Sequence, residues 1–456
     1  MLTAKKRGKD LLDDLFAPPL YKYHTLERTT LGEQVIETTE RENTKMILAT
    51  KSRFRAVIHI THAKACEQIL GYNVFTSDGP FWKHSRAMFR PQFSRELIND
   101  LESVENALQL FFQALGEFDH EKWTGYVDVV PPVYRLILDT STELLFGESG
   151  NAQQANLDMQ AGKVKDTSIG LPGGDEYNAA FQLCSYWLLL RVRMGNLAGL
   201  FEKSEHYRAL NIVRQVPDSY IAKAIKGEKR QSKQAKFGLL SSLVEHTRDQ
   251  TELRDQCMRN SLCWQRHHLG FDTMDVVLPD SEPISIAESA GCRFLQHVIN
   301  ESLRLFQPVA LNSRDAVKDT ILPVGGGDGT KPIAVRKGQT VRWNIYAMHR
   351  RKDIWGEDAL EFRPERWEDP RKTRFLGSGW AFNPFPGGPR LCLGQQYALT
   401  EAAYCIVRLL QKYDQIELDP NSAAAKDGLR TQKSLGAAQA PTELRLRFHE
   451  ANGPCA

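Results

Sequence analysis

The feature that most constrains this chain is a cysteine, Cys392, placed between a loop rich in glycine and proline and a helical segment. Residues 385–394 read Phe-Pro-Gly-Gly-Pro-Arg-Leu-Cys-Leu-Gly, and the helical pattern of residues 395–410 follows. The positive end of the helix dipole and the unbonded N–H groups of its first turn stabilise a thiolate at this position. The adjacent glycines permit a tight turn and the close approach of a flat partner. Together with the fixed cation of Arg390, this arrangement suits the axial ligand of haem iron.

This stretch resembles the haem-binding signature of the cytochrome P-450 family, Phe-x-x-Gly-x-Arg-x-Cys-x-Gly, at every fixed position. The resemblance implies that Cys392 is the metal ligand of haem b and that Phe385, Arg390 and Gly394 lie around the cofactor. The alternative is a buried cysteine at a helix cap without a cofactor. The agreement at every fixed position disfavours that alternative.

The composition indicates an ordinary globular protein. The chain has 456 residues, is 25% charged and carries a formal net charge of +3, without a long basic block. This balance argues against a nucleic-acid partner. The eight cysteines include no Cys-x-x-Cys pair and no regular spacing. They fit a reducing compartment with mostly unpaired thiols.

The sequence contains no apolar run of the ~18 residues that a transmembrane helix needs. The basic start of the chain lacks the apolar region of a signal peptide. Pro18-Pro19 and the residues after it resemble the segment that follows the membrane anchor of microsomal enzymes. We therefore expect residues 1–30 to be a post-anchor segment, with the anchor absent from this chain. The family resemblance implies the cytosolic face of the endoplasmic reticulum, with peripheral membrane contact.

The hydrophobic pattern predicts a mainly α fold with a small β region, the cytochrome P-450 fold, in one domain of residues 31–456. Apolar residues recur at helical spacing in residues 95–117, 131–146, 178–201, 205–225, 236–262, 288–306 and 395–412. Short β-rich pieces are residues 30–38, 56–59, 321–335, 340–343 and 444–448. The glycine run at 325–329 precedes a strand and not a helix, so it predicts a hairpin turn and not a phosphate loop.

Glu301 and Arg304 share one face of a predicted helix. On a surface such a pair would contribute little, but the apolar neighbours predict burial. A buried pair requires a further partner, and Arg366 in Arg-Pro-Glu-Arg-Trp offers one. These stretches resemble the Glu-x-x-Arg and Pro-Glu-Arg-aromatic motifs of the family, whose role is structural.

Trp82 and Arg86 lie one helical turn apart, and both can donate to a carboxylate. The resemblance assigns them, together with Arg390 and Arg314, to the haem propionates. The neighbouring His84 is an alternative iron ligand, but Cys392 is the better candidate.

The oxygen-activating motif of the family, Ala/Gly-Gly-x-Asp/Glu-Thr-Thr, is missing. The helix that should carry it reads Cys-Trp-Gln-Arg-His-His-Leu at residues 263–269. One codon choice for these residues is TGC TGG CAG CGA CAC CAC TTG. Read one base later, it encodes Ala-Gly-Ser-Asp-Thr-Thr, which is the missing motif. We therefore interpret residues 263–290 as an aberrant segment, produced by a frameshift or a splice error. No catalytic acid or threonine is identified in the chain as written.

Two other interpretations of this segment remain. A metal site is the alternative for His267-His268, but adjacent histidines point to different sides and no partner has ligand spacing. Asp272-Thr273 offers an acid next to a threonine, but without the small residues that open the helix beside iron.

The resemblance implies an enzyme that inserts one atom of O2 into a C–H bond of a small hydrophobic substrate. Residues 75–79, 88–93 and 312–314 resemble the fungal branch that hydroxylates alkanes and fatty acids. A secondary-metabolite intermediate is the alternative substrate. Electrons would come from an NADPH–cytochrome reductase, because the chain has no flavin or nicotinamide fingerprint. The alternative functions are a haem-binding pseudoenzyme or inactive gene product, or a redox-neutral haem-thiolate isomerase or dehydratase.

Two surfaces are candidates for these partners. Lys83, Arg90, Arg371, Lys372 and Arg374 could form a basic docking face for a flavin domain, although a solvated charged surface explains them equally well. The apolar residues 181–190 and 197–201 could form the roof of a substrate pocket, or simply helix core.

Overall fold

The computed structural model describes residues 17–30, 33–49, 54–55, 67, 69–93, 101–163, 174–194, 199–226, 239–267, 292–373, 379–427 and 443–451. Its helices are α1 Ala17–Tyr23, α2 Arg41–Ala49, α3 Gly79–Phe89, α4 Glu102–Ala114, α5 Val130–Phe146, α6 Ala152–Gln160, α7 Gly174–Met194, α8 Ser204–Lys226, α9 Leu239–His246, α10 Gln250–His267, α11 Arg293–Leu305, α12 Ile345–Met348, α13 Lys352–Trp355, α14 Pro370–Thr373, α15 Gln395–Lys412 and α16 Ala423–Asp427. Its strands are β1 Thr25–Thr30, β2 Glu33–Thr38, β3 Phe54–Arg55, β4 Val127–Asp128, β5 Leu311–Ala316, β6 Thr320–Gly326, β7 Lys331–Val335, β8 Thr340–Asn344, β9 Tyr413–Leu418 and β10 Arg445–Glu450.

The chain divides into two compact units. Unit 1 comprises residues 1–64, 292–395 and 432–440, and unit 2 comprises residues 65–291, 396–431 and 441–456. The mainly helical fold with small sheets confirms the predicted fold class.

Unit 1 contains a sheet of strand order β1-β2-β8-β5-β3, in which only the β2–β8 pair is parallel. Its apolar side chains form a core that includes Ile36, Val341 and Trp343. Strands β6 and β7 form a separate antiparallel hairpin. The turn of this hairpin is closed by backbone hydrogen bonds from Gly325 N–H to the Gly329 carbonyl and from Gly329 N–H to the Gly326 carbonyl, so the predicted hairpin is confirmed.

Unit 2 is built from α3 to α10 and most of α15, with a small sheet of order β4-β10-β9. Phe112, Ile137, Tyr413 and Phe448 belong to one buried cluster that joins α4, α5 and the sheet. Helix α5 ends at Gly147, whose φ of 74° is the left-handed conformation that terminates many helices. Among the residues that the structure describes, no helix combines the length and apolar character needed to cross a membrane.

The predicted helix over residues 236–262 is two helices, α9 and α10. Asp249 separates them, because its Oδ1 accepts hydrogen bonds from the backbone N–H groups of Thr251 and Glu252 at 2.8 and 3.1 Å. These bonds begin a new helix and end the preceding one. The predicted strand at residues 56–59 lies outside the described residues.

Candidate functional site

Cys392 lies in unit 1 between a short 3₁₀ turn, Gly388–Arg390, and the first residue of α15, Gln395. The thiol is half-buried and is not in a disulfide. The neighbouring Leu391 side chain is 42% exposed. The loop therefore leaves the sulfur partly accessible.

The two glycines of this loop are required by the protein itself. Gly388 has a φ of 77°, and a Cβ atom there would lie 2.2 Å from the carbonyl oxygen of Leu48 at the end of α2. A Cβ atom on Gly387 would lie 2.9 Å from the ring of Trp380. We expected these glycines to admit a flat partner, but within the described residues the close neighbours are Leu48 and Trp380. The glycines thus fix the loop onto unit 1.

Glu301 and Arg304 on α11 are fully buried and form a salt bridge of 2.8 Å. Glu301 also accepts hydrogen bonds from Arg366 Nε at 2.8 Å and Trp367 Nε1 at 3.1 Å. Burial alone would raise the pKa of Glu301, but the hydrogen bonds and charges of Arg304 and Arg366 outweigh it, so the pKa is lowered. The contact expected with Arg366 is therefore present, and the carboxylate is ionised in the core of unit 1.

Arg304 connects α11 to the chain that follows α12. Its Nη1 donates to the carbonyl oxygens of His349 at 2.7 Å and Ala359 at 2.6 Å, and its Nη2 donates to that of Glu361 at 3.0 Å. Each of these acceptors is backbone, so the guanidinium holds three chain positions against one helix. This arrangement is structural, because none of these groups is free to react.

A buried histidine links this region to the cysteine loop. His349 Nε2 accepts the backbone N–H of Asn383 at 3.0 Å, and His349 Nδ1 lies 3.2 Å from the carbonyl oxygen of Arg304. Neither His349 nor Asn383 was predicted from the sequence. The bond joins positions that are adjacent only after folding, so no periodic pattern or motif marks them.

Trp82 and Arg86 lie on α3 in unit 2, where the guanidinium carbon of Arg86 is 5.7 Å from the centre of the Trp82 ring. His84 on the same helix is exposed, which disfavours it as an iron ligand. Arg314 lies on β5 in unit 1, where its guanidinium carbon is 5.2 Å from the Trp343 ring. The assignment of these three basic and aromatic donors to propionates stays a prediction.

Helix α10, which should carry the oxygen-activating motif, is fixed to α3 within unit 2. Gln256 Nε2 donates to Ser85 Oγ at 2.8 Å in a buried contact. Asp255 accepts the backbone N–H of Tyr72 at 2.8 Å. The helix continues to His267, but the side chains from residue 259 onwards and the whole of 268–291 lie outside the described structure. The predicted aberrant segment, with His267-His268 and Asp272-Thr273, falls in this region.

The residues around Cys392 fit a haem. A half-buried thiol and an exposed leucine lie at one loop, and Arg390 stands two residues away. The sulfur would suit the iron of such a group, and the Arg390 guanidinium would suit one of its carboxylates. Among the described residues, no group of three or more His, Cys, Asp or Glu side chains is arranged to hold a metal ion.

The fold and this loop together define a haem-thiolate protein. The family model for cytochrome P450 matches residues 29–262 and 272–441. Cytochrome P450 52A5 from Candida maltosa is 38% identical over 92% of this chain and 83% of its own length. Cytochrome P450 52A1 from Candida tropicalis is 36% identical over 88% and 76%. Cytochrome P450 monooxygenase g430 from Fusarium sp is 34% identical over 90% and 77%.

The chain belongs to the cytochrome P450 family. Its cofactor is haem, and its class of reaction is the insertion of one oxygen atom from O2 into a hydrophobic substrate, supported by a redox partner. The family match stops at residue 262 and resumes at residue 272. This gap begins at the position where the sequence departs from the oxygen-activating motif.

Proposed function

We propose that the intact gene product hydroxylates a long-chain fatty acid or alkane, with electrons from an NADPH–cytochrome reductase at the cytosolic face of the endoplasmic reticulum. The observation that carries this proposal is the loop that presents Cys392 in a chain 38% identical to Cytochrome P450 52A5. Residues 75–79, 88–93 and 312–314, which resemble the fungal hydroxylase branch, support the substrate class. A hydrophobic intermediate of secondary metabolism is the alternative substrate.

In this proposal Cys392 holds the iron, and Arg390, Trp82, Arg86 and Arg314 bind the propionates. The bound haem would supply the activation of O2 and the transfer of one oxygen atom. The thiolate of Cys392 would donate electron density to the metal, which favours O–O cleavage. Glu301, Arg304 and Arg366 keep the loop and its supporting chain in place.

Fewer basic residues remain candidates for the reductase-docking surface than the sequence indicated. Lys83 and Arg90 are exposed on unit 2 and remain candidates for an acidic flavin domain. Arg371 instead donates to both carboxylate oxygens of Asp369, at 3.0 and 2.8 Å. Lys372 donates to the carbonyl oxygen of Ile354, and Arg374 lies outside the described residues. We therefore assign the docking charge in this proposal to Lys83 and Arg90.

The apolar segment at residues 181–190 does not support the pocket-roof interpretation. Phe181, Trp187 and Leu188 are buried in unit 2. The Trp187 ring stacks on His206 of α8, with 4.9 Å between the ring centres and an angle of 14°. These contacts are those of a helix–helix core. The second apolar piece, residues 197–201, is described only from residue 199.

A second function is favoured by the gap in the family match at residues 263–271. The chain as written would bind haem but fail to activate O2, because it lacks the acid and threonine that deliver protons. A redox-neutral isomerase or dehydratase would not need these two residues. Turnover that requires neither NADPH nor O2 would identify such an enzyme.

The test is to express this chain, reduce it, add carbon monoxide and record the Soret band. A red-shifted band would show a thiolate on iron, and oxidation of palmitic acid with reductase and NADPH would then support the hydroxylase proposal. A thiolate band without oxidation would support the pseudoenzyme. No red-shifted band would mean that this version of the chain is not a working monooxygenase.

A further inference from the structure

The ring of His349 is fixed on every side. His349 is fully buried. The Phe382 ring stacks on the imidazole with 5.3 Å between the ring centres, and the Trp355 ring contacts it edge-on with 6.1 Å between the centres. Its Nε2 accepts a hydrogen bond from Asn383, so the ring proton must lie on Nδ1. That proton donates to the carbonyl oxygen of Arg304. One tautomer therefore satisfies both nitrogens.

The contact with Arg304 is reciprocal. Arg304 Nη1 donates to the backbone carbonyl of His349 at 2.7 Å, while His349 Nδ1 bonds to the backbone carbonyl of Arg304 at 3.2 Å. The Arg304 guanidinium, paired with Glu301, thus contacts the backbone of His349, and the imidazole contacts the backbone of Arg304 on α11. Because α11 fixes Arg304, it also fixes His349.

The imidazole stays neutral over the working range of pH. Burial lowers the pKa of His349 to about 3, and the positive charges of Arg304 and Arg350 add to this effect. A protonated Nε2 could not accept the N–H of Asn383. The neutral ring consequently keeps its acceptor at neutral and mildly acidic pH.

Asn383 begins the loop that ends at Cys392. Its side chain is buried, and Phe385 two residues later is also buried. The loop then meets α2 at Gly388, where the backbone lies against Leu48. The chain before Cys392 is thus anchored at two points, the first of which is the bond to His349.

We propose that His349 is a positioning residue, which transfers the fixed position of the Glu301–Arg304 pair to the start of the Cys392 loop. The imidazole acts through the Asn383 N–H and touches neither substrate nor cofactor. This inference concerns the proposed haem-thiolate function and deepens it, because it identifies what holds the ligand loop in register.

Two substitutions separate this role from simple packing. In His349→Gln, the side-chain amide oxygen can reach the position of Nε2 and accept the Asn383 N–H. In His349→Asn, the shorter amide reaches only the position of Nδ1, so the bond to Asn383 is lost. His297→Asn on α11 is the matched control, because it removes a half-buried histidine without a bond to the loop.

The first measurement is made on the full chain and does not require haem. Hydrogen–deuterium exchange of the peptide containing Asn383 and alkylation of Cys392 by iodoacetamide are followed by mass spectrometry. We expect His349→Asn to accelerate both by roughly tenfold, as loss of one buried hydrogen bond predicts. We expect His349→Gln and His297→Asn to stay within about twofold of the parent chain.

The proposal is wrong if the Gln and Asn variants accelerate both processes equally, or if neither changes them. The second measurement is the carbon monoxide band of the reduced protein, which should remain red-shifted in His349→Gln and lose that shift in His349→Asn. If the parent chain itself gives no thiolate band, this version of the chain does not hold haem through Cys392. In that case the exchange and alkylation rates of the variants, compared with those of the parent chain, still test the role of His349.

Discussion

Arg366 Nε lies 2.8 Å from Glu301 Oε1, although 65 residues separate the two side chains. Both are buried, with 1% and 0% of their side-chain surfaces exposed. The same carboxylate also binds Arg304, so one negative charge faces two guanidinium groups in the core of unit 1. Removing one member of such a buried arrangement is strongly destabilising, because it leaves an uncompensated charge in the core.

Replacing Glu301 by Gln should therefore destabilise the protein. The two arginines would remain buried without their shared counter-charge, and we expect the free energy of unfolding to fall by about 3–5 kcal/mol. Urea denaturation of the full chain measures this. The control is Glu357→Gln, which breaks an exposed pair with Lys352 and should change the value by less than about 1 kcal/mol. Equal effects of the two variants would contradict the buried network.

Cys392→Ser should abolish the red-shifted carbon monoxide band, because a hydroxyl does not replace the thiolate on iron. Cys292→Ser is the matched control, since Cys292 is also half-buried and in no disulfide, but precedes α11 and not α15. Its spectrum should equal that of the parent chain. A thiolate band that survives Cys392→Ser would place the iron on another cysteine.

Gly388→Ala should weaken the cysteine loop more than a positive φ alone explains. Gly329 also has a positive φ, 96°, but a Cβ atom there meets nothing within 4 Å, whereas at Gly388 it would meet the Leu48 carbonyl. We expect Gly329→Ala to lower stability by about 1 kcal/mol and Gly388→Ala by more, with loss of haem retention. Thermal unfolding and the haem-to-protein absorbance ratio measure the two effects. Similar behaviour of both variants would show that the contact with Leu48 is unimportant.

Much of the fold and part of the site could be predicted from the sequence. The apolar spacing located most of the long helices, although it merged α9 and α10, and the glycine run marked the β6–β7 turn, because both signals are local. Cys392, Glu301, Arg304 and Arg366 were selected because fixed residue types at fixed spacing identify them.

Contacts between distant segments could not be predicted in this way. The approach of Leu48 to Gly388 and the bond from Asn383 to His349 depend on backbone atoms, which every residue carries. The strand Tyr413–Leu418 was also missed, because it follows α15 without a turn residue to mark the boundary. Backbone contacts of this kind leave no residue-type pattern in a single chain.

Because Asp139 takes up a proton more readily in the folded state, the free energy of unfolding should rise on mild acidification. Its oxygens accept the backbone N–H groups of Ala152 at 2.6 Å and Gln153 at 3.0 Å, at the start of α6. Burial raises its pKa from 3.8 to about 6 despite these bonds. The folded state therefore binds more protons than the unfolded state between about pH 4 and 6. Relative to Asp139→Asn, the parent chain should gain about 2 kcal/mol as pH falls from 7 to 4.

Urea midpoints measured across that pH range check this prediction. The control is Asp328→Asn at the β6–β7 turn, because hydrogen bonds from Thr330 lower the pKa of this exposed carboxyl. Removal of the Asp328 carboxylate should not abolish the gain in stability on acidification. A parent chain and Asp139→Asn variant with parallel pH profiles would show that Asp139 does not titrate differently in the folded state.

The interpretation of residues 263–290 as a frameshifted or misspliced segment predicts the sequence of the transcript. The family match ends at residue 262, and with the codon choice given above a shift of one base after this point encodes Ala-Gly-Ser-Asp-Thr-Thr. Sequencing the transcript across the codons for residues 263–290 should show this frame and return to the present one before α11. A transcript that reads as written, with codons that do not encode the motif in the shifted frame, contradicts the hypothesis.

If the frame is restored, the corrected chain should oxidise palmitic acid with reductase and NADPH. The chain as written should not, because only the corrected helix carries the acid and threonine needed for proton delivery.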